Sequence, residues 1–122
     1  MKFSDLQPIV YELLRVEVDG EVLCDIRLEK RWPSERWRIV DGINELSCVG
    51  KWAYELQKPK NLNYYRFDTP EEALEVWNRG VELPHVMQGA EHHLGRIMGE
   101  ARDCYEAAYN RIRVACGGEV KP

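Results

Sequence analysis

The sequence predicts an α+β domain: an antiparallel meander of about five or six strands, one face covered by helices, the last of them long. Three observations predict it. Apolar–polar alternation broken by turn residues runs from about residue 16 to residue 67. A capped helix starts at Thr69. Small and apolar residues then recur every three or four positions through the last third of the chain. The 122 residues suffice for one domain spanning residues 1–122, burying about two-thirds of its unfolded surface. No internal repeat or low-complexity tract divides it.

Taken in order, Ser4 and Gln7 have capping-box spacing, and Leu6, Ile9, Val10, Leu13 and Leu14 follow helical periodicity, with Pro8 in the first turn. A short amphipathic helix is expected there, although "YELLRVEV" also suits the start of a strand. Asp19-Gly20 marks a hairpin. A three-residue loop, setting Val16 opposite Val22 and Leu14 opposite Cys24, collects the apolar residues on one side and is the expected register. Strands follow at residues 37–40, 44–48, 51–56 and 64–67, separated by Asp41-Gly42, Gly50 and the loop "QKPKNLN"; Trp32-Pro33-Ser34 precedes them.

"DTPEEALEVWNRG" reads as a helix with Thr69 as cap, Pro70 in the first turn, Glu72 completing the capping box and Gly80 as the stop. A second helix is expected from residue 85 to residue 115, ended by Gly117-Gly118. Its positions Met87, Ala90, Leu94, Ile97, Ala101, Cys104 and Ala108 form a seam of small side chains, with Gly95 and Gly99 beside it. Glycine inside a helix costs about 0.5–1 kcal/mol relative to alanine, so close approach of another backbone is the expected offset. A homodimer seated on Ala90, Leu94, Gly95, Ile97, Gly99, Ala101 and Ala108 is one way to supply it.

The stretch "EKRWPSERWRIV" places arginine before tryptophan twice. Strand parity separates the two: Trp37 and Ile39 share one face, Arg36 and Arg38 the other. Trp52, Tyr54 and Leu56 oppose Lys51; Tyr65 and Phe67 oppose Tyr64 and Arg66; Ile26 and Leu28 oppose Arg27. Tryptophans are therefore expected in the core and arginines outside. The outer face would carry Arg27, Arg31, Arg36, Arg38, Lys51 and Arg66 with Tyr64, and Asp25, Glu29 and Glu55 fall on the same side. Base stacking needs aromatic rings among the charges, and only Tyr64 meets that condition.

Net charge is −4, but residues 26–66 carry nine basic and five acidic side chains, which suggests an anionic partner. The first ten residues lack an apolar signal segment, no stretch approaches the ~18 apolar residues of a membrane span, and a cytoplasmic location is expected. Four cysteines without metal-like spacing are expected to be reduced and mostly buried. His85, His92 and His93 have no ligand-type residue at helical spacing, so no metal site is expected. Cys104 would stand about 16 Å from His93 along a straight helix. Phosphate-binding and nucleophile-elbow motifs are absent.

Glu72-x-x-Glu75, followed after 24 residues by Glu100-x-x-Asp103, puts two carboxylates on one face of each of two helices. This spacing is similar to the motif of the all-helical nucleoside-triphosphate pyrophosphohydrolases, and "EEALE" resembles its first half. The resemblance covers residues 71–103 and implies Mg²⁺-dependent nucleotide hydrolysis by that quartet. The residues themselves point first to a small non-catalytic binding or regulatory protein, inhibitor-like and without a cofactor. It would engage an acidic protein surface, a nucleotide or a nucleic acid through Arg27, Arg31, Arg36, Arg38, Lys51, Tyr64 and Arg66.

Overall fold

A computed structural model describes residues 9–30, 35–54 and 62–117. Five strands form one antiparallel sheet in chain order: β1 (Ile9–Val18), β2 (Glu21–Lys30), β3 (Arg38–Asp41), β4 (Asn44–Leu46) and β5 (Trp52–Tyr54). Three α-helices follow, α1 (Pro70–Asn78), α2 (Ala90–Arg96) and α3 (Glu100–Ala115), with 3₁₀ turns at Leu62–Tyr65 and His85–Gly89. This is the α+β meander expected from the alternation. Ser4, Leu6, Gln7, Pro8, Arg31, the Trp32-Pro33-Ser34 breaker, Glu55, Leu56 and Gly118 lie outside the described residues.

Residues 9–14 are strand, not helix, and the reason is a bulge. Glu12 pairs with Arg27 and Leu14 with Ile26, which leaves Leu13 as an extra residue. The core-facing positions are therefore Tyr11, Leu14, Val16 and Val18. Their first step of three, together with Leu13, imitates a helical apolar pattern within a strand.

The hairpin register also differs from expectation. Val18 pairs with Glu21, so the loop has two residues, Asp19 (φ 50°) and Gly20 (φ 82°). Positive φ at both central positions is the type I′ signature. The apolar side chains are brought together by a second bulge at Leu23, which sets Val16 opposite Cys24 rather than Val22.

β3 and β4 join through Gly42-Ile43, and Trp37 makes an isolated bridge to Phe67 with backbone bonds of 2.8 Å in both directions. The expected strand at 64–67 is thus a 3₁₀ turn followed by a single bridge. Its inside–outside assignment stands: Tyr65 and Phe67 are buried, Tyr64 is exposed and Arg66 is half-buried.

α1 begins as its sequence predicts. Thr69 Oγ1 accepts from the Glu72 amide at 3.1 Å, and the Glu72 carboxylate accepts from the Asp68 amide at 3.2 Å. The long helix expected from 85 to 115 is instead a 3₁₀ turn and two helices. Ile97 is extended and Gly99 has φ 69°, ψ −146°, outside the helical region. Gly99 takes up the non-helical backbone of this break while Gly95 lies within α2, and neither serves as the offset for a close approach. A Cβ at Gly95 or Gly99 would meet nothing within 4 Å among the described residues.

The core forms between the inner sheet face and the helices. Leu14, Val16, Val18, Cys24, Ile26, Leu28, Ile39 and Leu46 from the sheet meet Ala73, Val76, Met87, Ala90, Leu94, Ala108, Tyr109 and Ile112. Trp37 is 8% exposed, and half-buried Trp52 packs against the same cluster. Three backbone segments close one end. Val81 donates to the Cys116 carbonyl at 3.0 Å and Glu82 to that of Gly50 at 2.7 Å. The Glu82 carbonyl in turn accepts from Trp52 Nε1 at 2.7 Å. A Cβ on Gly117 would lie 3.0 Å from the Gly80 Cα, so the crossing requires glycine.

Candidate functional site

The outer sheet face is built by the same parity that fills the core. β1 contributes Glu12, Arg15 and Glu17, β2 contributes Asp25, Arg27 and Glu29, β3 contributes Arg38 and Val40, and β4 contributes Glu45. Strand register sets Arg15 beside Asp25, Glu12 beside Arg27, Glu29 beside Arg38 and Val40 beside Glu45. Opposite charges thus face one another between β1 and β2 and between β2 and β3, an arrangement that stabilises a sheet.

The resulting lattice has an exposed and a shielded half. Near the hairpin, Arg15 pairs with Glu17 and reaches Asp25 at 3.6 Å, and Arg27 holds Asp25 at 2.7 Å. Towards β4, Arg38 grips Glu29 through Nε and Nη2 and reaches Glu45 at 3.2 Å, and Arg66 meets Glu45 at 2.8 Å. The Glu45 side chain is 3% exposed and that of Arg38 11%. Burial works against the charge on Arg38, but the hydrogen bond and charge of Glu29, with those of Glu45, outweigh it and raise its pKa. A concavity of about 510 Å³ opens over this lattice, lined by Asp25, Arg27, Glu29, Arg38, Val40 and Glu45 together with the segments 22–24 and 41–43.

Of the residues expected to bind a partner, Arg27 and Arg38 line the concavity and Arg66 borders it through Glu45. Arg36 sits apart, donating to Asn63 and to the Arg66 carbonyl at 3.1 Å. Its Nε is 2.9 Å from Asp68, an ion-pair contact without hydrogen-bond alignment. Lys51 is exposed in the turn before β5, and Tyr64 is exposed with its ring edge-to-face on Tyr65. Arg31 lies outside the described residues. Sequence reasoning missed Glu45, Arg15 and Glu17 as members of this face. The alternation of Glu45 with core-directed Leu46 was the available signal.

The small-residue seam is divided. Ala90, Leu94 and Ala108 are buried in this chain's own core, Ile97 is half-buried, and Gly95, Gly99 and Ala101 are exposed. Two cysteines, Cys48 and Cys104, are exposed rather than buried. Cys24 and Cys116 are buried, and burial pushes their thiols up to about 12 and about 11. His93 stacks edge-to-face on Tyr105, 4.9 Å between centroids, and the Tyr105 hydroxyl donates to Glu21 at 2.7 Å. The break between α2 and α3 removes the straight helix on which the His93–Cys104 separation was reckoned.

Glu72 and Glu75 lie on α1, Glu100 and Asp103 on the first turn of α3. Among the described residues no three His, Cys, Asp or Glu side chains converge as a metal site, and the five-stranded sheet is not the all-helical fold that the quartet's spacing resembles. No described helix is long and apolar enough to cross a membrane. No known protein family, curated protein or solved structure matches this chain.

Proposed function

We propose that this chain is a small non-catalytic binding protein of the regulatory, inhibitor-like kind, and that it engages the carboxylates of an acidic protein surface through the outer face of its sheet. The observation that carries this reading is the concavity over the ion-pair lattice. Asp25 fixes Arg27 through Nε and Nη2, yet the Arg27 side chain remains 46% exposed with donors to spare. Guanidinium groups already held in place lose less conformational entropy when a partner's carboxylate arrives.

The lattice also favours one class of partner. Asp25, Glu29, Asp41 and Glu45 line the concavity together with Arg27 and Arg38, so a uniform polyanion would meet repulsion along it. A protein surface with carboxylates interspersed among other groups fits alternating charge, where complementarity confers specificity more than raw affinity. Nucleic acid is correspondingly disfavoured, because no aromatic side chain lines the concavity to stack a base.

The test is co-precipitation from native-host extract with the wild-type chain and with Arg27→Ala and Arg27→Glu variants, all verified as folded by circular dichroism. A partner that is retained by wild type, weakened by salt and by Arg27→Ala, and lost with Arg27→Glu supports the proposal. A partner set indifferent to both substitutions and to salt overturns it.

A further inference from the structure

The outer edge of β1 carries an interaction surface independent of the reading above. β1 is ten residues long and occupies one end of the sheet, with β2 its only strand neighbour among the described residues. An edge strand presents backbone donors and acceptors ready to pair with another strand. Its first residues also expose apolar side chains: Ile9 at 47%, Val10 at 43% and Tyr11 at 54%.

We infer that this edge pairs antiparallel with β1 of a second copy, joining two five-stranded sheets into one. The bulge at Leu13 is what makes that register fit. In a regular strand of ten residues, full-length antiparallel self-pairing would set every core-facing residue against an outward-facing one, because successive side chains alternate. The extra residue reverses the alternation halfway along β1. Tyr11, Leu14, Val16 and Val18 then share the inner face, and Val10, Glu12, Arg15 and Glu17 the outer face.

With Ile9 opposite Val18 of the second copy, sides match along the strand. Val10 faces Glu17, Tyr11 faces Val16, and only the central Leu13–Leu14 pair contains the bulged residue. Exposed Ile9 and Tyr11 come beside buried valines, so the apolar rows of the two sheets continue across the junction. On the outer face Glu12 stands opposite Arg15 of the second copy, and two-fold symmetry repeats the pair. Within one chain Arg15 is held by Glu17 and Asp25 with its side chain 40% exposed, leaving the guanidinium accessible to a further carboxylate. Charges on an edge usually discourage pairing; here they complement themselves in the one register that uses the whole strand.

The experiment is sedimentation equilibrium on the full chain, followed by charge reversal. Wild type is expected to sediment at twice the single-chain mass of 14.3 kDa at micromolar concentration. Arg15→Glu alone, and Glu12→Arg alone, each place like charges opposite one another and are expected to weaken association about tenfold or more. The Glu12→Arg/Arg15→Glu double variant restores opposite signs and is expected to recover dimerisation. Circular dichroism confirms folding of each, and Ile9→Asp, on the inner face away from the lattice, sets a carboxylate against Val18 of the second copy and provides a second disruption. A single-chain mass for wild type overturns the inference. So does a dimer indifferent to Arg15→Glu and Ile9→Asp, or a double variant no better than the singles.

Discussion

Arg66 Nη1 and Glu45 Oε1 meet at 2.8 Å although 21 positions separate them in the chain. The same carboxylate oxygen accepts from Arg38 at 3.2 Å, so one buried side chain ties β4 both to β3 and to the segment after the 3₁₀ turn. In this lattice the shielded Glu45 is a member whose loss removes a buried acceptor from two guanidinium groups at once.

Glu45→Ala is therefore expected to lower unfolding stability by about 3 kcal/mol, because Arg38 and Arg66 keep their charge and lose a shared acceptor. Glu45→Gln retains one carbonyl acceptor and is expected to lose less. Urea unfolding followed by tryptophan fluorescence measures both. A loss from Glu45→Ala no larger than that from removing the exposed Glu17, where surface pairing contributes at most about 1 kcal/mol, contradicts this assignment.

Two glycine substitutions are expected to act with opposite signs. Gly117 has φ 86° and lies against the Gly80 backbone, so Gly117→Ala combines left-handed strain with a steric clash and is expected to destabilise by about 2 kcal/mol or more. Gly95 lies within α2 with open space around it, so Gly95→Ala is expected to stabilise by about 0.5–1 kcal/mol. Thermal melting of the two variants checks the pair, and destabilisation by Gly95→Ala would reveal a close contact at that position.

Thr69→Ala removes the acceptor for the Glu72 amide at the start of α1. A loss of about 1 kcal/mol is expected, measured by the same urea titration. Thr69→Ser, which retains the hydroxyl, should recover most of it.

The thiols are expected to divide two and two. Cys48 and Cys104 should react with a disulfide reagent in the native state, and Cys24 and Cys116 only after unfolding. The buried pair also imposes a pH dependence. Both folded values, about 12 and about 11, lie above the ordinary 9.0 of a thiol. The folded chain therefore holds protons that the unfolded chain releases, and this contribution is complete below about pH 9 and lost as pH rises towards 12. Cys24→Val should flatten the alkaline fall in melting temperature, and an unchanged slope contradicts the assignment.

Features that repeat at short range were legible in the sequence. Trp37 beside Arg38 and Ile26 beside Arg27 declare their faces by alternation alone. Thr69, Pro70 and Glu72 announce a helix start within four residues. β1 was not legible as a strand throughout, because its bulge converts a spacing of two into three and so imitates a helix. The break at residues 97–99 was hidden by a heptad-like spacing that continues across it, even though Gly99 marked its position. On the candidate binding face, Arg27, Arg38 and Arg66 were found by parity. The carboxylates that hold them were only partly found, because Glu45 reaches Arg66 through the return of the chain after β5.

By itself the sequence determined the α+β class, the meander preceding the helix that starts at Thr69, the burial of Trp37 and the outward direction of Arg27 and Arg38, since these follow from backbone periodicity and local capping. Tertiary structure alone decided the two bulges, the hairpin register and which carboxylate meets which guanidinium. Those depend on how strands slide past one another, and a slip of one residue exchanges the two faces of a strand. The outer sheet face is therefore a lattice of paired charges rather than a simple cationic surface.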